Sequence, residues 1–364
     1  MKITLVAGAR PNFMKVAPII KAIKNAREKG QDIDYRLVHT GQHYDKKMSS
    51  DFFEELRIPA PDINLGSGSG SQAEQTATIM VRFEKELLEN KPSIVLVVGD
   101  VTSTLACTIT AKKLCIDVGH VEAGIRSGDM TMPEEINRMV TDSICDHFFT
   151  TTELANQQLA KNGIDERRIH FVGNTMIDTL CHNLDRIKKP AFWDEYHLNE
   201  KGYFLMTLHR PSNVDDPVKL ATILSSIKEG TLDFPIIFPL HPRTRQIVEK
   251  FKISQDKIIM IDPQNYLEFI YLIKHSKGII TDSGGITEEA TVLHIPCLTL
   301  RNSTERPETI TLGTNELIGE DWDKLQLYLK KVIDGDWKKG LVPPLWDGKT
   351  SDRIVETLNS IYNS

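Results

Sequence analysis

The sequence has little that would mark a secreted, membrane-bound or nucleic-acid-binding chain. Its 364 residues hold only five cysteines, an odd number with no CxxC spacing. Cys107, Cys115, Cys145, Cys181 and Cys297 lie in apolar surroundings, which predicts buried reduced thiols rather than a disulfide framework or a metal site. No apolar run approaches the ~18–20 residues of a membrane span. The opening "MKITLVAG" lacks the longer apolar stretch and small-residue cleavage site of a secretion signal. Positive charge is not in excess, with 44 Lys and Arg against 50 Asp and Glu and a net charge of -6. A nucleic-acid or membrane-surface protein would carry a basic patch instead. The expectation is a cytoplasmic protein with neither nucleic acid nor membrane as partner. There is no internal repeat, and the one low-complexity tract, "GSGSGSQ" (66–72), reads as a mobile loop.

What is present is an alternation of short apolar runs with helix-like segments. "KITLVAG" (2–8), "DYRLVHTG" (34–41), "SIVLVVGD" (93–100), "DVGHVEAG" (117–124), "HFFTTT" (147–152) and "IHFVGN" (169–174) are continuous rather than alternating. That pattern suits strands buried on both faces of a parallel sheet. The pattern restarts at "GYFLMTLH" (202–209) and continues through "DFPIIFPLHP", "KIIMID", "GIITDS" and "CLTLR". This predicts an α/β protein of two doubly wound, Rossmann-like domains facing a cleft. The expected division is an N-terminal domain over 1–172, a polar, proline-bearing crossing or hinge over 173–202, and a C-terminal domain over 203–350. A last helix over 351–364, with apolar spacing at Ile354, Leu358 and Ile361, is a candidate to pack back on the first domain.

In open parallel sheets ligands bind beyond the carboxyl ends of the strands, so polar residues just after the apolar runs are the candidates. "GIITDSGGITEEA" is a strand, a glycine turn and a helix start. Ser283, Gly284 and Gly285 would form an anion site for phosphates at the helix N-terminus. Glu289 would face the ligand and take ribose hydroxyls, although a carboxylate near a helix start is also stabilised by the dipole. Arg301 and Arg306 in "RNSTERPET" suit phosphate oxygens. His209 with Arg210, and His241 with Arg243, close two further strands. In the first half, Asp100 and Glu122 are acids at buried strand ends, where an unpaired carboxylate is costly. Glu134 and Glu135 open a helix after Pro133, and Arg10 and Lys15 follow the first strand. "GARPNF" is not GxGxxG, so a nicotinamide dinucleotide has no support, and no metal or other cofactor is expected.

Ten segments in order, "GARPNFMKVAP", "TGQHYD", "VVGDVTST", "HVEAGIRSGD", "MPEEINR", "VGNTMIDTL", "TLHRPSNVDD", "PLHPRT", "DSGGITEEA" and "STERPE", resemble the non-hydrolysing UDP-N-acetylglucosamine 2-epimerases. The resemblance runs from Arg10 to about Gly319. It implies the two-domain fold of the GT-B glycosyltransferases, a UDP-sugar substrate, and interconversion of UDP-N-acetylglucosamine and UDP-N-acetylmannosamine. It also implies roles: Ser283, Gly284 and Gly285 on the diphosphate, Arg306 on phosphates, Glu289 on ribose, and Tyr266 beside the uracil. Asp100, Glu122, Glu134 and His209 match the catalytic positions, and Arg10 and Lys15 the basic residues of the cleft. A homodimer is implied in the same way.

Family members often bind a second sugar nucleotide as an activator, and Gln42, Arg210 and His241 stand at matching positions. The sequence departs from that pattern where "GSGSGSQAEQT" replaces the usual basic residue before "QT", and where Asp45 replaces a common glutamine. The reading that competes within the same fold is a glycosyltransferase. A transferase needs at most one base in the first half, whereas an epimerase needs several acids there. Which UDP-2-acetamido sugar is the substrate, including 2,3-diacetamido and 6-deoxy sugars, stays open.

Overall fold

A computed structural model describes residues 1–41, 53–240, 242–251 and 256–363. The chain forms two compact units, Met1–His182 with Pro344–Ser364, and Asn183–Pro343. The first is built on a seven-stranded sheet of β1 (Lys2–Ala7), β2 (Asp34–His39), β3 (Ile63–Asn64), β4 (Ile94–Val98), β5 (Asp117–Ala123), β6 (His147–Thr150) and β7 (Ile169–Phe171). Its order is β3-β2-β1-β4-β5-β6-β7, with every pair parallel. The continuous apolar runs are explained by this arrangement. All five residues of β4 are buried, because helices cover both faces of a parallel sheet. Those helices include α1 (Arg10–Glu28), α2 (Gln72–Glu89), α3 (Thr102–Lys113), α4 (Pro133–Ile144), α5 (Glu153–Lys161) and α6 (Thr175–Asn183).

The second unit holds a six-stranded parallel sheet of β8 (Phe204–Thr207), β9 (Ile236–Pro239), β10 (Ile258–Ile261), β11 (Gly278–Thr281), β12 (Cys297–Thr299) and β13 (Asn315–Leu317). Its order is β10-β9-β8-β11-β12-β13. The helices that matter below are α7 (Phe192–Glu195), α8 (Tyr266–His275) and α9 (Gly284–Val292). In both sheets the strand order reverses once, between β1 and β4 in one and between β8 and β11 in the other. Those reversals are the switch points where doubly wound sheets open a crevice for ligands.

The division differs from the expected one at both seams. No separate crossing module spans 173–202: α6 belongs to the first unit, and Trp193 of α7 packs edge-on against Tyr203 and Tyr271 of the second. Residues 344–350 return to the first unit because the indole of Trp346 donates to the Thr151 carbonyl at 3.0 Å. The final helix, α10 (Thr350–Tyr362), lies in the first unit and packs on α1. It buries Ile354, Val355 and Leu358, while Ile361 is more than a third exposed and lies outside the core.

Two smaller expectations also change. The "GSGSGSQ" stretch is hydrogen-bonded at both ends. Ser67 and Gly68 donate their amides to the Thr40 and Gly41 carbonyls, and Ser71 caps α2 in a reciprocal pair with Glu74. Cys107, Cys145 and Cys297 are buried, but Cys115 is exposed, since it turns the chain left-handed (φ 55°) just beyond α3. Among the described residues no helix is long and apolar enough to cross a membrane.

Candidate active site

In the first unit the switch point gathers the residues that follow β1, β4 and β5. Asn12 ties the first two together. Its side chain accepts from the Gly8 and Ala9 amides at 3.2 and 3.0 Å and donates to the Val98 carbonyl at 2.9 Å. Arg10 opens α1 and is exposed, and Lys15, one turn on, is mostly covered. Lys15 Nζ donates to Glu122 Oε2 at 2.7 Å, with only 4% of the glutamate side chain exposed. Glu122 itself sits at φ 71°, a conformation uncommon for any residue but glycine, where the β5–β6 register slips between Val121 and Ala123. Strain of this kind persists where its surroundings fix it, and it clusters at functional sites.

Asp100 begins the turn after β4 and is held by the Arg138 guanidinium. Arg138 also bonds Glu135 at 3.2 Å, and Asn137 donates to the Asp100 carbonyl at 2.8 Å. Glu135 takes the Ser127 and Gly128 amides and the Ser127 hydroxyl. Burial opposes its charge, but those four donors outweigh it and hold Glu135 below the usual carboxylate range. Glu135 therefore reads as a structural anchor. Its neighbour Glu134 stays half-buried in the first turn of α4. Arg138 and Asn12 bind the candidate site together, and neither is singled out by the sequence. Both lie inside quoted motifs, and a cation four residues after Glu134 and three after Glu135 was the available signal for Arg138.

In the second unit, β8 and β11 meet through Asp282, another residue not singled out from the sequence. Fully buried, it accepts from the His209 and Arg210 amides, the Asn213 side chain at 3.0 Å, and His209 Nδ1 at 2.8 Å. Burial works against its charge, while the His209 ring, the Arg210 amide and the Asn213 side chain pull it below the normal range. The His209 ring is thereby oriented by a buried carboxylate yet remains 62% exposed. Next in sequence, Ser283 caps α9 in extended conformation. The first amides of a helix have no intrahelical acceptor, so those of Gly284 and Gly285 are open to an anion. Gly285 has free space where a side chain would stand, and a Cβ on Gly284 would meet the buried Arg301 guanidinium at 3.4 Å. Arg301 is held below its usual pKa by burial and by the positive charge of Arg210. Arg301 also reaches Glu305 Oε1 at 3.6 Å, and the two guanidiniums beside a helix N-terminus make a candidate anion site.

One turn into α9, Glu289 is buried and accepts from the Tyr266 hydroxyl at 3.1 Å. Burial drives its carboxyl up to about 8, against the pull of Tyr266 and with a further push from Glu288. Glu288 pairs with Arg306, so this unit holds that arginine between α9 and the loop after β12. Gln42 and His241, expected near a second sugar, lie outside the described residues.

Two doubly wound α/β units, each with charged groups at its switch point, define the GT-B class of fold. At the level of fold alone, the lipopolysaccharide outer core galactosyltransferase WaaB matches with a TM-score of 0.56 at 15% identity, covering 100% of this chain and 99% of its own. The family follows from sequence: the UDP-N-acetylglucosamine 2-epimerase model matches residues 25–359, and the chain belongs to that family. It is 43% identical to the UDP-N-acetylglucosamine 2-epimerase of Methanocaldococcus jannaschii, over 98% of this chain and 99% of the relative. The crystal structure of that enzyme with UDP-GlcNAc and UDP matches with a TM-score of 0.86, over 99% and 100% of the two chains. The UDP-2,3-diacetamido-2,3-dideoxy-D-glucuronate 2-epimerase of Pseudomonas aeruginosa is 38% identical, over 98% and 99%.

Proposed function

We propose that the chain inverts C2 of UDP-N-acetylglucosamine reversibly, giving UDP-N-acetylmannosamine. The observation that carries this reading is the pairing of strands β4 and β5, which set Asp100 and Glu122 at adjacent strand ends of one unit, each with its own cation. A transferase of this fold has use for at most one base there.

The C2 proton of a 2-acetamido sugar is not next to a carbonyl, so direct enolisation is closed to it. Departure of UDP from C1 makes C1 electron-poor and the C2 proton removable. A glycal and UDP result, and addition back, with a proton entering the opposite face of C2 and the UDP oxygen re-forming its bond to C1, gives the epimer. Asp100 and Glu122 exchange the proton, and Glu134 supports positive charge at the ring. The departing diphosphate lies on Ser283, Gly284 and Gly285 at the start of α9, with Arg301 and Arg306 as cationic support and His209 assisting. Tyr266 packs by the uracil and Glu289 takes the ribose. Arg10 and Lys15 complete the electrostatics of the proton-transfer side.

Incubation with UDP-N-acetylglucosamine alone in heavy water tests the reading. Deuterium should enter C2 and UDP-N-acetylmannosamine should accumulate, with no acceptor added. Intact substrate with protium at C2 after prolonged incubation would sink it. The relative that bears the name of a diacetamido-glucuronate epimerase favours a second reading, the same chemistry on a more substituted sugar. A panel of UDP-2-acetamido sugars, followed by proton NMR, separates the two. The homodimer implied by the family is checked by sedimentation of the full chain.

A further inference from the structure

Behind Asp100 and Glu122, the same unit buries a second titratable group that the proposed chemistry does not use. His120, fully buried in β5, points one ring nitrogen at the Gly99 carbonyl (Nε2, 2.8 Å) and the other at Asp142 Oδ1 (Nδ1, 2.7 Å). Both ring nitrogens are thus engaged, and the ring is fixed in orientation from two sides. Asp142 of α4 also accepts from the Gly124 amide at 3.1 Å and from Arg126 Nη1 at 2.7 Å. Burial disfavours its charge, but His120 and Arg126 prevail and keep it ionised below the ordinary range.

The atoms held by this network flank the reacting groups. Gly99 directly precedes Asp100 and is left-handed (φ 69°), and its amide donates to the Val121 carbonyl at 3.0 Å. Gly124 lies two residues beyond Glu122, also left-handed (φ 79°), where a Cβ would strike the Ala155 carbonyl oxygen at 2.5 Å. The strained peptide at Glu122 is thus bracketed by Val121 and Gly124, and the turn into Asp100 by Gly99.

We propose that His120 and Asp142 are positioning residues, which hold the backbone on either side of the two proton-transferring carboxylates through the Gly99 carbonyl and the Gly124 amide. Neither touches the substrate. The inference rests on the epimerase reading and deepens it.

Two variants separate the two ends of the ring. In H120Q the amide nitrogen stands near the position of Nε2 and can still donate to Gly99. In H120N it stands near Nδ1, keeps Asp142, and leaves the Gly99 carbonyl bare. H120N should lose ~10²-fold in kcat, the scale of a 1 Å misplacement. Its KM and its affinity for UDP, which binds the other unit's residues, should stay within about threefold, since uniform binding is untouched. H120Q should lose less than about tenfold, and the acid limb of its kcat–pH profile should keep its parent position. Folded H120N with near-parental kcat would overturn the proposal, as would parallel losses in both variants that simply follow their thermal stability. Should H120N fail to fold, D142A, which frees the ring to turn, is read by the same measurements. A parent that exchanges no deuterium at C2 would count against the epimerase reading, whereas an active parent with undiminished variants would count against this inference alone.

Discussion

At Glu122 the chain accepts a left-handed glutamate and a slipped strand register in order to bury a carboxylate against Lys15. Asp100 is fixed by Arg138, another buried cation. Groups set so firmly are placed for chemistry at one atom, so their amide versions should bind substrate and fail to turn it over. D100N and E122Q are each expected to lower kcat by ~10²-fold or more while UDP binding by calorimetry stays near the parent value. Near-full deuterium incorporation at C2 by both folded variants would remove these residues from the mechanism. Glu289 differs, because its oddity is thermodynamic. Buried beside Tyr266, it keeps its proton in the folded chain up to about 8, whereas the unfolded chain releases it near 4.5. Folding therefore takes up a proton in that window, and stability falls as pH rises through it by up to about 1.4 kcal/mol per unit. E289Q has no proton to release. Its stability relative to the parent should climb from pH 5 to pH 8 in urea unfolding of the second unit, and a difference flat with pH would show that the carboxyl is ionised in the folded protein.

At the scale of elements, much of the architecture was legible in the sequence. The continuous apolar runs announced buried parallel strands, and residues just after them, Asp100, His209 and Ser283, do stand at strand ends in the structure. Ligand-facing edges are readable because they follow in sequence from the strand that creates them. What could not be read were partners brought by a different element. Arg138 reaches Asp100 from 38 residues away, and Asp282 reaches Asn213 across 69. His120 looked like part of a strand motif, and only the arrival of α4 with Asp142 makes it an anchor. The seam between units was misplaced for the same reason, since Trp346 finds its acceptor at Thr151, nearly two hundred residues back. Glycine and serine content suggested a mobile loop at 66–72, yet Ser71 and Glu74 form a capping box that sequence spacing already contained.

At the scale of the whole chain, the first unit is closed by its two ends. Its strands begin at Lys2, but its last helix, α10, is delivered only after the second unit has been completed. Asp178 at the middle of α6 accepts the Thr350 and Ser351 amides at 3.0 and 2.6 Å and so caps the start of α10, while Tyr362 at its far end donates to Asp117 at 2.7 Å. Between these anchors Ile354 and Leu358 are fully buried, on the helix that packs against α1. Because α1 also carries Asn12 and Lys15, loosening of α10 should be felt at the Lys15–Glu122 pair. L358A should destabilise the first unit by about 2–5 kcal/mol, the usual result of emptying a buried leucine site. Hydrogen exchange should then speed up in α1 and β1 as well as in α10, because the core they share opens as one cooperative body. If faster exchange stays confined to residues 350–362, the helix is an appendage rather than part of the fold that holds Lys15 against Glu122.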